Sequence, residues 1–494
     1  MKRPTLVRLG ATVGIGVVIV GAGLLAPQTV TKLDDVATTV EPVGSSVLLC
    51  PEPGTGKDQG VRVTAAVVPG QPGQDGGPGS AVIQTLPGKQ SATAAIASPG
   101  GQAEVAAAGR TLPPIEGKAS GSLAPGFIAN QWSRKARGTG RGMASTACAT
   151  AGSDFWFMGG GATAGRQTRV VLVNPDDYSA VVDVKVLGPD GLIEAPAGQG
   201  LVVKANSRLV VRMDALAPGV TATALHVIAR AGRVGAAVDD VQMSGLDAVG
   251  TDWIPIAAPP AREVYVPGVM PGAGARVLTV AAPGQDDALV SITVMTADGS
   301  FAPADRDTMR IPAGTVQNMD LSTVIGGEPA TIQLSSDAPI VAGMRQFFGS
   351  KRQQNETAYS AGSQPFTGPA AVSGLPVGGS TRVHLGITAT KQGATVTISL
   401  LPFAGNGKAT KPSAPKQVTV AAGTVKWIQL DPPAGGGWFT AVVTPAKGSG
   451  PVLVAHRVRE ASSYGDLITG YPWRPLRTEV RVPAAQEDLA ISVR

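Results

Sequence analysis

Short apolar runs separated by turn-forming residues recur along most of the chain. The stretch 261–366 shows the pattern most clearly, with segments such as ARVLTVAAP and ALVSITVMTADG divided by Gly, Pro, Asp and Ser. In the second segment Val290, Ile292 and Val294 alternate with polar residues, which is typical of a strand with one buried face. Runs with a helical period are almost absent, so an all-β chain is predicted.

The same order of segments returns after about 107 residues. Arg169 in TRVVLVNP, Arg276 in ARVLTVAAP and Arg382 in TRVHLGITA align at intervals of 107 and 106 residues. Arg62 in VRVTAAV would extend the series backwards by another 107. This period is too long for a solenoid, whose units have roughly 20–50 residues. It suits tandem immunoglobulin-like β-sandwiches of about 100 residues each, and a β-propeller with two blades per period is the alternative.

The repeat divides the chain into segments of different character. The predicted segments are a basic flank and transmembrane anchor at 1–28, a linker at 29–46, a divergent first β domain at 47–153, β-sandwich repeats at 154–258, 259–366 and 367–476, and a terminal strand pair at 477–494. Asp214, Asp320 and Asp431 recur once in each repeat. Such repetition indicates turn or cap residues rather than an acid–base pair.

The N-terminus indicates the compartment. Lys2, Arg3 and Arg8 precede a run from Leu9 to Ala26 that carries no charge. About 18 mostly apolar residues approach the length that spans a bilayer, and a basic flank favours the cytoplasmic side. We therefore expect a single-pass membrane protein whose bulk is extracellular. Secretion after cleavage of a signal peptide is the alternative.

Cys50 and Cys148 are the only cysteines. An even number in an exported protein indicates a disulfide, and two cysteines allow one pairing. The closed loop of nearly 100 residues would contribute about 4.7 kcal/mol as an upper value in the chain-entropy model. Two buried free thiols are the alternative.

A basic segment, WSRKARGTGRG, closes the first domain. It contains Trp132, Arg134, Lys135, Arg137 and Arg141. One interpretation is contact with an anionic cell-wall polymer or lipid headgroups, and the other is a solvated basic loop. The net charge of +6 is too small and too dispersed for a nucleic-acid partner.

No catalytic, cofactor or metal motif is present. His226, His384 and His456 are isolated and lack metal-ligand spacing. Gly159-Gly160-Gly161 precedes a predicted strand, whereas a dinucleotide site requires a helix there. We predict no catalytic residues, no cofactor and no bound metal, and hence no enzyme.

The last strand of the later repeats begins with Pro and ends with Arg, in PIVAGMR and PVLVAHR. Together with the N-terminal anchor, this resembles a family of actinobacterial membrane-anchored extracellular proteins classed as a domain of unknown function. The resemblance implies a location in the cell envelope and supplies no catalytic residues.

The expected function is a membrane-anchored, extracellular, non-enzymatic scaffold or binding protein of the cell envelope. Its expected partners are the membrane, through the N-terminal helix, and a cell-wall polymer or envelope proteins. One alternative is a glycan-active hydrolase with an acidic site between domains, lined by aromatics such as Trp427 and Trp438. The other is a passive binder of anionic cell-wall polymer that uses Trp132 and the basic segment.

Overall fold

Strands dominate the described part of the chain. The computed structural model describes residues 38–51, 59–86, 92–108, 113–349, 356–405, 407–434 and 437–483. Both α-helices in these residues are single turns, so the all-β prediction is confirmed. The anchor predicted at 1–28 lies outside the described residues. Within the described ranges no helix has the length and apolar character needed to cross a membrane.

The chain forms two compact units. One comprises 1–41 and 480–494, and its described strands are β1 (Thr38–Pro42) and β37 (Glu479–Pro483), which pair with each other. The other unit comprises 42–479 and contains four β-sandwiches.

Each sandwich packs two sheets face to face. The first contains β2 (Ser45–Cys50), β3 (Gln59–Val67), β4 (Gly79–Thr85), β5 (Thr93–Ile96), β6 (Gln102–Ala108), β7 (Ile115–Gly121), β8 (Phe127–Lys135), β9 (Gly142–Ala147) and β10 (Ala149–Thr150). The second contains β11 (Asp154–Met158), β12 (Arg166–Asn174), β13 (Ala180–Gly188), β14 (Gly191–Ile193), β15 (Leu201–Val203), β16 (Ser207–Arg212), α1 (Met213–Leu216), β17 (Ala224–Ala231), β18 (Gly235–Ser244), β19 (Asp247–Ile254) and β20 (Ile256–Ala257).

The remaining two sandwiches follow the same order. The third contains β21 (Ala261–Val269), β22 (Arg276–Ala281), β23 (Ala288–Met295), β24 (Ser300–Phe301), β25 (Thr308–Ile311), β26 (Val316–Asp320), α2 (Ser322–Ile325), β27 (Ala330–Phe348) and β28 (Glu356–Ala361). The fourth contains β29 (Ala370–Pro376), β30 (Thr381–Ala389), β31 (Ala394–Pro402), β32 (Lys416–Val420), β33 (Thr424–Leu430), β34 (Trp438–Pro445), β35 (Val452–Glu460) and β36 (Leu467–Thr469).

One sheet of each sandwich, called the inner sheet here, has the same strand order in all four. These inner sheets are β6-β3-β8-β9, β16-β12-β18-β19, β26-β22-β27-β28 and β33-β30-β35-β36. The long strand β27 belongs to both sheets of the third sandwich. The first domain therefore repeats the topology of the other three, and the sheets of the described chain close no propeller.

Equivalent core positions reveal a one-residue slip in the arginine alignment. Val63, Val170, Leu278 and Val383 each begin the buried face of the second inner strand. Because alternate residues of a strand face opposite sides, the arginines that immediately precede Val63, Val170 and Val383 point away from their cores. Arg276 lies two positions before Leu278, so it shares the core side of its strand and is fully buried.

One of the recurrent aspartates, Asp320, has the turn role that was expected. Asp320 Oδ1 accepts a hydrogen bond of 2.8 Å from the Ser322 backbone N–H at the start of α2. Asp214 lies in the first turn of α1 and pairs with Arg212. Asp431 follows β33 directly.

The four sandwiches form a closed cluster. Their last inner strands, β9, β19, β28 and β36, meet at a common centre: β9 and β28 each pack against both β19 and β36. Smaller apolar contacts join neighbours away from this centre: Leu49 with Val171 and Trp253, Met158 with Val341, Tyr265 with Leu453, and Val68 with Leu401.

Substitution of Gly250 tests how closely β19 and β28 approach each other at the centre. A Cβ there would lie 2.3 Å from the Thr357 backbone nitrogen, and φ is +137°. We expect Gly250→Ala to lower stability by about 2–4 kcal/mol, because an overpacked contact costs about 1–3 kcal/mol and the strained φ adds about 1 kcal/mol. Thermal unfolding measures the effect.

Gly245→Ala is the matched control. Gly245 also has a positive φ, +60°, in the turn of the same hairpin, but no atom lies within 4 Å of the added Cβ. It should lose only about 1 kcal/mol. Equal losses in the two variants would contradict the close contact between the second and third sandwiches.

Candidate functional site

Two buried carboxyl groups lie where the four sandwiches meet. Asp252 on β19 and Glu356 at the start of β28 are each 1% exposed. Each strand that meets here is an edge strand of its inner sheet, so part of its backbone has no strand partner. Buried carboxylates and unpaired N–H groups are both costly unless each finds a partner.

Asp252 joins three of the sandwiches. Its Oδ1 atom accepts hydrogen bonds from the backbone N–H groups of Ser145 (3.3 Å) and Trp253 (2.9 Å) and from Thr469 Oγ1 (3.0 Å). Its Oδ2 atom has no hydrogen-bond partner among the described residues. Burial raises the pKa of Asp252 well above its usual range.

Glu356 accepts hydrogen bonds from backbone N–H groups of three edge strands, β9, β19 and β28. Its Oε1 accepts from the backbone N–H groups of Thr251 (3.3 Å) and Thr357 (3.2 Å), and its Oε2 accepts from that of Met143 (3.3 Å). Burial raises the pKa of Glu356 to about 8, against the opposing effect of these hydrogen bonds and of Arg141. Burial therefore favours the protonated form of this side chain, and the three N–H groups favour the carboxylate.

The structure separates the five residues proposed to contact an anionic polymer. Trp132 is 4% exposed, and Arg141 is fully buried and donates from Nη2 to the carbonyls of Gly465 and Asp466, the latter at 3.2 Å. These two side chains therefore lie in the interior, between the first and fourth sandwiches, and not on a solvated loop.

The other three members of the basic segment are exposed or partly exposed. Arg134 forms a bidentate pair with Glu460, with Nε 2.7 Å from Oε2. Lys135 Nζ donates to the Thr139 carbonyl. The Arg137 guanidinium lies 4.6 Å from the centre of the Tyr464 ring. Each basic side chain thus has its own neighbour.

A cleft between the first and fourth sandwiches, called the Trp438 cleft here, has a volume of about 340 Å³. Its lining includes Arg62, Trp132, Arg134, Met143, Pro376, Thr381, Trp438 and Glu460. The rings of Trp132 and Trp438 lie 6.1 Å apart at 58°, and the Arg62 guanidinium lies 3.6 Å from the centre of the Trp438 ring. Predominantly apolar walls with a few polar groups are typical of ligand sites.

A second cleft, called the Arg457 cleft here, lies between the third and fourth sandwiches and has a volume of about 500 Å³. Its lining includes Pro271, Phe348, Glu356, Arg457, Arg459, Asp466 and Ile468. Trp427, expected beside an acidic site, packs against Phe348 and Ile468. Arg457 and Glu356 were not predicted as site residues from the sequence. The available signal was a charged residue at the edge of an apolar strand pattern.

The disulfide and His456 have structural roles. Cys50 and Cys148 form the predicted bridge in the core of the first sandwich, so the alternative of free thiols is wrong. His456 is fully buried, burial lowers its pKa to about 3, and its Nδ1 accepts from Trp473 Nε1. Among the described residues, no group of three or more His, Cys, Asp or Glu side chains is arranged to hold a metal ion.

The raised pKa of Glu356 predicts a pH-dependent stability. The folded protein keeps a proton up to about pH 8 that an unfolded chain releases near pH 4.3. Protonated Glu356 thus contributes to the free energy of unfolding. The contribution is fully present below pH 4.3 and is lost as the pH rises towards 8, at about 1.4 kcal/mol per pH unit at most. We expect the melting temperature of Glu356→Gln, relative to the unmodified protein, to increase from pH 5 to pH 8.

Glu328→Gln is the control, because it removes an exposed carboxyl group just after α2. It should leave the dependence of the melting temperature on pH unchanged. Asp252 acts in the same direction as Glu356, so a residual slope is expected in Glu356→Gln. Parallel profiles for the unmodified protein and Glu356→Gln would contradict the assignment.

Comparison with known proteins gives a family and no function. Neither the curated proteins nor the solved structures contain a match. A family model described as a family of unknown function, DUF5719, matches residues 100–433. The matched stretch begins in the first sandwich, ends in the fourth and covers 334 of the 494 residues. The chain therefore belongs to the DUF5719 family.

Proposed function

We propose that the protein is a non-enzymatic, membrane-anchored, extracellular binding protein of the cell envelope, which holds a neutral saccharide in the Trp438 cleft. The basic flank and apolar run at the N-terminus support the anchor. The buried disulfide supports an oxidising compartment. The lining of the Trp438 cleft carries the proposal for the ligand.

The polar groups of this cleft are already balanced in charge. Arg134 is paired with Glu460, and Arg62 lies 3.3 Å from Glu104. An anionic ligand would find each guanidinium neutralised, and a purely apolar ligand would leave the polar groups unused. A sugar ring can place its C–H face on an indole while its hydroxyls donate to carboxylates and accept from guanidiniums.

The closed cluster makes the cleft a preformed site. Trp132 and Met143 belong to the core of the fourth sandwich although they lie in the first. Buried hydrogen bonds also cross this boundary, from Thr440 Oγ1 to Gln102 Oε1 at 2.6 Å and between Thr64 and Ser373 at 3.0 Å. Because these contacts fix both walls, binding requires little ordering of the protein.

Trp438→Ala tests the proposed saccharide site. We expect the full-length protein in detergent to co-sediment with purified cell wall, and the variant to bind about tenfold or more weakly. Binding should change little between 0.05 and 0.5 M NaCl, because a neutral sugar releases few counterions. Tyr178→Ala, at an exposed aromatic of the second sandwich, is the control and should bind normally.

The opposite pattern would favour the anionic-polymer alternative. Binding that is lost in high salt, and on neutralising Arg134, Lys135 and Arg137 together, would replace the saccharide proposal. Trp438→Ala must keep a melting temperature near that of the unmodified protein for the comparison to count. Glu460→Gln, which breaks the bidentate pair without removing an aromatic, provides a second probe of the same cleft.

A glycan hydrolase is the second candidate, because Glu356 and Asp466 line one cleft and Glu356 has the raised pKa of a general acid. Against it, backbone N–H groups occupy both Glu356 oxygens, and the side chain is 1% exposed. A positioned acid must reach the scissile oxygen. Release of soluble sugar by the unmodified protein, abolished in Glu356→Gln, would establish hydrolysis over binding.

A further inference from the structure

Arg457 carries a buried positive charge without a carboxylate partner in the described structure. Its side chain lies on β35, and the residue is 9% exposed. Its hydrogen bond runs from Nη1 to the Pro271 carbonyl at 3.0 Å, and its Nε is buried without a partner. An unpaired buried charge is strongly unfavourable, so this arrangement calls for an additional ligand.

Two other arginines with largely buried side chains show how this protein satisfies a structural guanidinium. Arg276 donates four hydrogen bonds, to the carbonyls of Met270, Gly272, Ala275 and Phe347, at 2.7 to 3.1 Å. Arg166 forms a bidentate pair with Asp240 and also donates to Tyr359. Arg457 has one such bond. The Nε of Arg276 also lacks a partner, so the difference is in the number of hydrogen bonds, which is lower for Arg457 than for either structural arginine.

Arg457 has charged neighbours of both signs: the charge of Arg459 disfavours its protonated form and the charge of Asp466 favours it. Arg459 lies in the same cleft, where its Nε is 2.6 Å from Asp466 Oδ2 in a partly exposed pair. Burial, together with the charge of Arg457, lowers the pKa of Arg276 to about 10. Glu356, the other acidic residue in the lining, directs its carboxyl oxygens at the backbone N–H groups of Met143 and Thr251, and burial raises its pKa.

We propose that the Arg457 cleft binds a phosphate group through Arg457 and Arg459. A guanidinium presents a planar fork of donors that matches phosphate oxygens. A tetrahedral anion can meet two such forks with different oxygens, and the volume of about 500 Å³ leaves room for the molecule that carries it. When the phosphate binds, Arg459 gives up its partly exposed ion pair with Asp466 and pairs with the phosphate. This site is separate from the Trp438 cleft and does not depend on the saccharide proposal.

Titration of inorganic phosphate into the full-length protein in detergent, at pH 7 and constant ionic strength, tests the site. We expect calorimetric binding and a rise in melting temperature that chloride does not reproduce. Arg457→Gln should weaken phosphate binding by about tenfold or more, since it removes a charge-assisted fork. Arg382→Gln, which removes an exposed arginine of β30 outside the cleft lining, should change the affinity by about twofold or less.

The stability of Arg457→Gln separates a ligand residue from a structural one. Because the substitution removes an uncompensated buried charge, the variant should melt at or above the temperature of the unmodified protein without phosphate. Lower stability together with unchanged phosphate affinity would overturn the proposal.

A diester of phosphate with glycerol, titrated in parallel, identifies the source of the anion. Tighter binding of the diester than of inorganic phosphate indicates a phosphodiester ligand, and the reverse indicates free phosphate. Both results support a phosphate site. Failure of the unmodified protein to bind either probe would overturn it.

Discussion

The architecture depends on how four sheet edges share one interior. A β-sandwich leaves unpaired N–H groups along its edge strands, and proteins must cover them or risk uncontrolled pairing. Here the last inner strand of every copy faces the same centre. Carboxyl oxygens of Asp252 and Glu356 accept hydrogen bonds from edge N–H groups of Met143, Ser145 and Thr251. Two acidic side chains thus accept hydrogen bonds from edge N–H groups that an additional strand would otherwise pair with.

Glycine makes this arrangement possible. Gly142 and Gly250 lie on the strands that meet, and a Cβ on either would approach within 2.3 Å of an atom of the neighbouring copy. The centre consequently contains backbone and carboxyl groups where a sandwich interface usually contains apolar side chains. A polar, tightly packed junction of this kind has little tolerance for volume changes.

The periodicity of the sequence predicted the fold well and the contacts between copies poorly. Strand alternation and a 107-residue interval are local properties, so they were readable from residues such as Val290 and Ile292. The one-residue slip at Arg276 could not be predicted, because an alignment of similar residues does not show which face of a strand points to the core. The burial of Trp132 and Arg141 depends on the fourth sandwich, more than 300 residues later. A repeat unit contains no signal for such closure.

The contact between Arg134 and Glu460 has a consequence for biosynthesis. A nascent chain produces the first sandwich long before the fourth exists. During that interval the surface around Trp132 lacks its partners in the fourth sandwich, and the outward backbone of β9 is covered in part by the second and third sandwiches. Long-range closure of this kind slows folding and leaves intermediates prone to aggregation. The first copy must therefore remain soluble while incomplete, and correct assembly is decided only when the last quarter of the polypeptide has emerged.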